Sequence, residues 1–208
     1  HNDVLEFTSK TGAIQPNSPG KSAGLQTSFR RHNQTAIFGQ NNYKGLQESA
    51  YLNFIRQTYL GNTDHKLKYG ISYYADRYTE SFSGDPNGTA FSDKIRVDLM
   101  SGLFSEYNYS WGESFNLTAG LRADYYNNTE QLNYLPRLNM KYNPTEDMAI
   151  RFSAGKAFRI ANVFVENASF LASNRMISLD ELNPEIAWNY GMNIIYCFRL
   201  FGGEGIIN

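Results

Sequence analysis

Apolar and polar residues alternate with a period of two along this chain, in unusually long runs. Phe115, Leu117, Ala119, Leu121, Ala123 and Tyr125 alternate with Asn116, Thr118, Gly120, Arg122, Asp124 and Tyr126. Leu67, Tyr69, Ile71, Tyr73 and Ala75 oppose Lys66, Lys68, Gly70, Ser72 and Asp76. Met148, Ile150, Phe152 and Ala154 oppose Arg151, Ser153 and Gly155, before Lys156, Ala157 and Phe158 end the run. Ile186, Trp188, Tyr190, Met192, Ile194 and Tyr196 oppose Glu185, Ala187, Asn189, Gly191 and Asn193. Such alternation predicts strands whose two faces meet different media. At about 10–15 residues each they exceed the usual strand of roughly 5–6.

The connections come in two sizes. Short ones, at 61–64, 111–114 and 143–147, carry the Gly, Asn, Asp or Pro of tight turns. Long ones are expected at 81–93 and 160–184, with Tyr126–Asn133 intermediate on the same side. Alternating short and long connections predict up-and-down strands with turns on one rim and loops on the other. The N-terminal region, 1–45, is the least regular. His1–Ser9 and Leu25–Phe38 read as strands around a Pro/Gly/Ser-rich 12–24, and Ala50–Leu60 as a further strand, for about nine or ten in all.

Composition decides the medium. Mean hydropathy is −0.49, and no stretch approaches the ~18 consecutive apolar residues of a membrane helix. A β-barrel escapes that test, because its lipid and water faces cancel in any average. Aromatic residues make up 15% of the chain and gather at the ends of the runs: Tyr73, Tyr74, Tyr78, Tyr125 and Tyr126 toward the loops, Tyr107, Tyr109, Trp111 and Tyr142 beside the turns. They read as two interfacial girdles. A soluble sandwich with aromatic cross-strand pairs has shorter strands, and its loops do not sort by rim.

Charge and motifs exclude most other chemistry. Nineteen basic against 20 acidic residues leave no basic excess for nucleic acid. One cysteine, Cys197, and three scattered histidines form no metal-ligand pattern, so neither metal nor cofactor is expected. No Gly-x-Ser-x-Gly, P-loop or telling carboxylate pair points to an enzyme.

Five segments then occur in order: Gly102-Leu103-Phe104-Ser105-Glu106-Tyr107, Ala119–Tyr125, Leu135–Tyr142, Phe152–Arg159, and Leu182-Asn183-Pro184-Glu185 with Trp188-Asn189-Tyr190-Gly191. In this order and spacing they resemble the barrel domain of TonB-dependent outer-membrane receptors. The stretch 161–175 is most similar to receptors of Bacteroidetes-type bacteria, although Ile160-Ala161 stands where the family often has a proline. The resemblance implies an antiparallel transmembrane β-barrel segment, about nine or ten strands of a 22-stranded barrel, without the plug domain or TonB box. It implies a bacterial outer-membrane location and energised uptake of a scarce nutrient: a ferric siderophore, haem, a cobalamin or an oligosaccharide. The implied partners are the remaining barrel strands and plug of the same receptor, TonB through the plug, outer-membrane lipid and the extracellular ligand. Residues placed for ligand capture are Phe82, Asp85, Phe91, Phe164, Phe170, Asn174 and Arg175, where aromatics stack on a ring or chelate and Arg pairs an anion. Ten charged residues lie on the polar strand faces: Lys66, Lys68, Arg96, Asp98, Arg122, Asp124, Arg137, Lys141, Arg151 and Arg159. Of these, Arg137, Arg151 and Arg159 sit in the motif segments and are the candidates for plug contact.

The other reading is a small complete outer-membrane barrel acting as an adhesin or passive pore. It needs an even strand count, paired ends and a terminal aromatic, and the last residues, Ile206-Ile207-Asn208, supply no aromatic. An open sheet edge in lipid leaves N–H and C=O groups unsatisfied at several kcal/mol each. Residues 1–208 purified alone in detergent are therefore expected not to form a heat-resistant closed barrel; a heat-modifiable monomer on a gel overturns the segment reading.

Overall fold

The computed structural model describes residues 1–16, 18, 20–39, 41–83, 91–160, 183–200 and 203–207. They form ten strands: β1 (Asn2–Ile14), β2 (Ser22–Phe38), β3 (Asn41–Tyr59), β4 (His65–Ser83), β5 (Phe91–Trp111), β6 (Phe115–Tyr126), β7 (Gln131–Thr145), β8 (Met148–Arg159), β9 (Glu185–Leu200) and β10 (Gly203–Ile207). Each pairs antiparallel with the next in a single sheet of order β1 to β10. Among the described residues β1 pairs only with β2 and β10 only with β9, so the sheet is not closed.

Registers place the alternating runs on common faces. Phe54, Ile71, Leu103, Ala123 and Tyr134 follow one another across β3 to β7 on one face. Asn53, Ser72, Gly102, Asp124 and Asn133 do so on the other. Ile55 of β3 and Ala157 of β8 border the same depression of about 510 Å³, so the polar face is the concave one. Burial is inverted relative to a water-soluble protein. Among the described residues the buried hydrophobics are Tyr43, Phe82 and Tyr126, all on the inner face, and the other buried residues are polar apart from Gly102. Leu103, Tyr190 and Met192 stand 64–70% exposed on the outer face. One layer of sheet with an apolar convex surface and no apolar core is stable only against hydrocarbon.

Strands begin earlier and end later than the pattern indicates. β3 starts at Asn41 rather than Ala50, β4 runs through Ser83, and β5 starts at Phe91. The expected loop 81–93 thus loses both ends to strand, the connection within 12–24 shrinks to 15–21, and β7 begins at Gln131. The expected loop 160–184 is flanked by β8 and β9, and its residues 161–182 lie outside the described residues. A tilted span needs only about 9–11 residues, whereas β3, β4 and β5 have 19, 19 and 21. Beyond the hydrocarbon both faces meet water, so alternation fades while the ladder continues. Arg31, Glu48 and Arg77, in register across β2, β3 and β4 on the outer face, mark that limit.

Rim sorting holds from β3 onward. The tight turns at 60–64 and 112–114 use Gly61 (φ +83°) and Gly112 (φ +53°), a left-handed conformation that glycine adopts without strain. The first connections depart from the sorting: only two positions separate β2 from β3 on the long-loop rim, and seven separate β1 from β2 on the opposite one. The β7–β8 ladder ends at Arg137 and Gly155. The next β7 residue is Pro136, which has no N–H to donate, and Lys156–Arg159 pair with β9 alone.

Face assignment is testable in the full-length protein folded into lipid. Leu103→Arg, on the outer face near mid-span, is expected to lower unfolding stability by about 2–4 kcal/mol. Asn139→Arg, on the inner face, is expected to cost far less; the two denaturant midpoints check the assignment.

Candidate functional site: the inner face of the sheet

All ten charged residues placed on polar strand faces lie on the inner face. Most are committed to partners within the wall. Arg122 reaches across β5: its Nε donates to Asp124 Oδ2 at 2.7 Å and its Nη2 to Ser72 Oγ at 2.7 Å, joining β4 to β6. Gly102 lies beneath this bridge, where a Cβ would fall on the Asp124 carboxylate and come within 2.6 Å of Arg122 Nη2. Asp124 is 2% exposed, and its Oδ1 accepts no hydrogen bond. Arg96 pairs with Asp98 at 3.0 Å and stacks over the Tyr78 ring, 4.4 Å from its centroid.

Toward the long-loop rim the wall carries tyrosines hydrogen-bonded to buried carboxylates. Tyr74 Oη donates to Asp76 at 2.7 Å, Tyr43 Oη to Glu80 at 2.7 Å and Tyr126 Oη to Asp98 at 2.7 Å. Gln47 donates to both Asp76 and the Tyr78 hydroxyl, Ser49 Oγ donates to Asp76, and Asn128 donates to Asp98. Burial, then the hydrogen bond and charge of Glu80, push the Tyr43 phenol well above its ordinary range, so it remains a donor at physiological pH. Among the described residues no group of three or more His, Cys, Asp or Glu is arranged to hold a metal.

This network divides the upper aromatic girdle. Tyr73 and Tyr125 face outward, but Tyr74, Tyr78 and Tyr126 face inward as members of the hydrogen-bonded wall. Consecutive tyrosines must split between faces, and Tyr74-Ala75-Asp76-Arg77-Tyr78 places its first, third and fifth residues together. That spacing was the available signal for a wall network the girdle reading passed over. The lower girdle is on the outer face: His65 stacks on Tyr109 at 4.8 Å, Tyr109 touches Phe115 at 6.2 Å, and Phe115 meets Tyr142 edge-on at 6.4 Å.

The ligand candidates are placed as follows. Phe82 is a β4 residue, 4% exposed, paired across the ladders with Tyr43 and Phe91 rather than standing in a loop. Phe91 opens β5. Asp85, Phe164, Phe170, Asn174 and Arg175 lie outside the described residues. The three motif arginines behave differently. Arg137 is paired with Glu106, which Lys68 also contacts at 3.1 Å. Arg159 donates to Glu185 through Nε and Nη2, at 3.1 and 2.8 Å. Arg151 stands directly opposite Lys141.

Arg122→Ala removes the guanidinium from a buried carboxylate. Because Arg122 is itself partly exposed, the expected loss is about 2–3 kcal/mol, at or below the low end for a buried pair. Tyr43→Phe, which removes one donor from Glu80, is expected to cost about 1–2 kcal/mol. Denaturant midpoints of the full-length protein in detergent check both values and their order.

Comparison with known proteins agrees with this architecture. The family model "TonB dependent receptor-like, beta-barrel" matches residues 2–203. None of the curated proteins matches. Among solved structures, the ferric enterobactin receptor of Pseudomonas aeruginosa superposes with a TM-score of 0.70 at 15% identity, covering 94% of this chain and 32% of that one. FpvA of P. aeruginosa, bound to heterologous pyoverdines, gives 0.64 at 14%, covering 96% and 31%. The alcaligin receptor FauA of Bordetella pertussis gives 0.59 at 13%, covering 97% and 35%. This chain thus spans about a third of the length of these receptors, and at such identities they share its fold. With a barrel model matched over nearly its whole length, the chain belongs to the TonB-dependent receptor-like β-barrel family.

Proposed function

We propose that this chain forms part of the wall of an outer-membrane receptor that takes up a scarce nutrient using energy delivered by TonB. The observation that carries the reading is the inverted burial within this family's fold: an apolar convex face for lipid and a charged concave face for a lumen. The work is capture and passage, without covalent chemistry. The rim of longer connections faces the outside, as in outer-membrane barrels generally. Asp85, Phe91, Phe164, Phe170, Asn174 and Arg175 serve ligand capture there, whereas Phe82 is buried within β4. Arg137, Arg151 and Arg159 face a plug domain that receives the pull of TonB. A ferric siderophore is the favoured ligand class over haem, a cobalamin or an oligosaccharide, because the similar structures include receptors named for ferric enterobactin and alcaligin and one bound to ferric pyoverdine.

The test is uptake of radioactive iron by cells carrying the full-length receptor, supplied as siderophore complexes or as haem. Accumulation that requires both the receptor and TonB is expected. Accumulation that persists without TonB overturns the energised reading, and TonB-dependent accumulation from haem with none from the siderophore complexes overturns the siderophore assignment.

A further inference from the structure

The lower part of the inner wall contains a charge arrangement that the wall does not neutralise. Lys141 of β7 and Arg151 of β8 are cross-strand partners in register, close to the 146–147 turn. Like charges placed directly opposite oppose sheet formation. Of the other cations on this face, Lys68, Arg96, Arg122, Arg137 and Arg159 each have a carboxylate within 4.0 Å, Lys66 lies 5.7 Å from the Tyr59 ring centroid, and Arg30 stands opposite Glu6 across the ladder. Among the described residues no carboxylate lies within that distance of Lys141 or Arg151, Glu146 and Asp147 of the adjacent turn included. Both side chains are exposed on the concave face.

The two cations border a depression of about 430 Å³ that is also lined by Asn116, Asn139, Ser153, Gly191 and Asn193. Asn116 Nδ2 is spent on Ser110 Oγ at 2.7 Å. The concavity therefore combines two cations with amide and hydroxyl groups, the set that holds a carboxylate by charge-assisted hydrogen bonds.

We infer that Lys141 and Arg151 form a seat for an Asp or Glu side chain of a polypeptide segment enclosed by the barrel, outside residues 1–208. The inference rests on the receptor reading. Charge complementarity selects an acidic segment, the inner position excludes a lipid headgroup, and about two thirds of the length of the similar receptors lies outside the part this chain covers. The seat separates Arg151 from the other two motif arginines, whose charges the wall already satisfies through Glu106 and Glu185.

A zero-length carbodiimide coupling on the full-length receptor in detergent, read by peptide mass spectrometry, tests it directly. This reagent joins an amine to a carboxylate already in contact, and Lys68–Glu106 at 3.1 Å is the internal control. The expected product links Lys141 to an Asp or Glu outside residues 1–208. Arg151→Gln lowers its yield several-fold while the Lys68–Glu106 product persists. The inference is overturned if the control forms and Lys141 is uncoupled or joined only to Glu146 or Asp147. It is equally overturned if inorganic phosphate alone shields Lys141 from acetylation without any cross-link, which makes the seat a free-anion site. TonB-dependent uptake by the same receptor reports separately on the receptor reading.

Discussion

The structure depends on backbone hydrogen bonding in a medium that offers none in return. Within hydrocarbon each unsatisfied N–H or C=O costs several kcal/mol, so a spanning sheet must satisfy its backbone through neighbouring strands. The ladders from β1 to β10 meet that requirement residue by residue over most of the sheet. The remaining features follow from which face of that ladder meets lipid and which meets water. The ladder also explains why β3, β4 and β5 continue past the outer-face limit at Arg31, Glu48 and Arg77. Pairing remains favourable in water once the neighbouring strand is already ordered.

Charge on the inner face is managed across strands rather than along them. Arg122 spans three strands only because Gly102 removes the side chain that would stand in its path. Tyr43, Tyr74 and Tyr126 each donate to a buried carboxylate, and at Asp76 and Asp98 further donors from neighbouring strands and the 127–130 connection share that task. The wall is consequently largely self-neutralised toward the long-loop rim. Lower down, Lys141 and Arg151 break that rule, and the contrast gives their juxtaposition its meaning.

Much of this was legible in the chain. Period-two alternation over Phe115–Tyr126 or Glu185–Tyr196 dictates strand, face and medium together, because strand geometry sends successive side chains to opposite sides. Strand extent was less legible. At 41–49 and 77–83 both faces meet water or polar neighbours, so hydrophobicity stops reporting on a ladder that continues. Phe82 read as a loop aromatic for the same reason and proved to be a buried strand residue.

The sequence by itself determined the class of the protein: its alternation admits a single-layer sheet between lipid and water, and its ordered motifs assign the family. Only the tertiary structure decided which charges neutralise one another. That Arg137 meets Glu106 from 31 residues away, while Arg151 meets Lys141, depends on register and on the reach of side chains across glycine-lined strands. Register is a property of paired strands, and no single strand's pattern contains it.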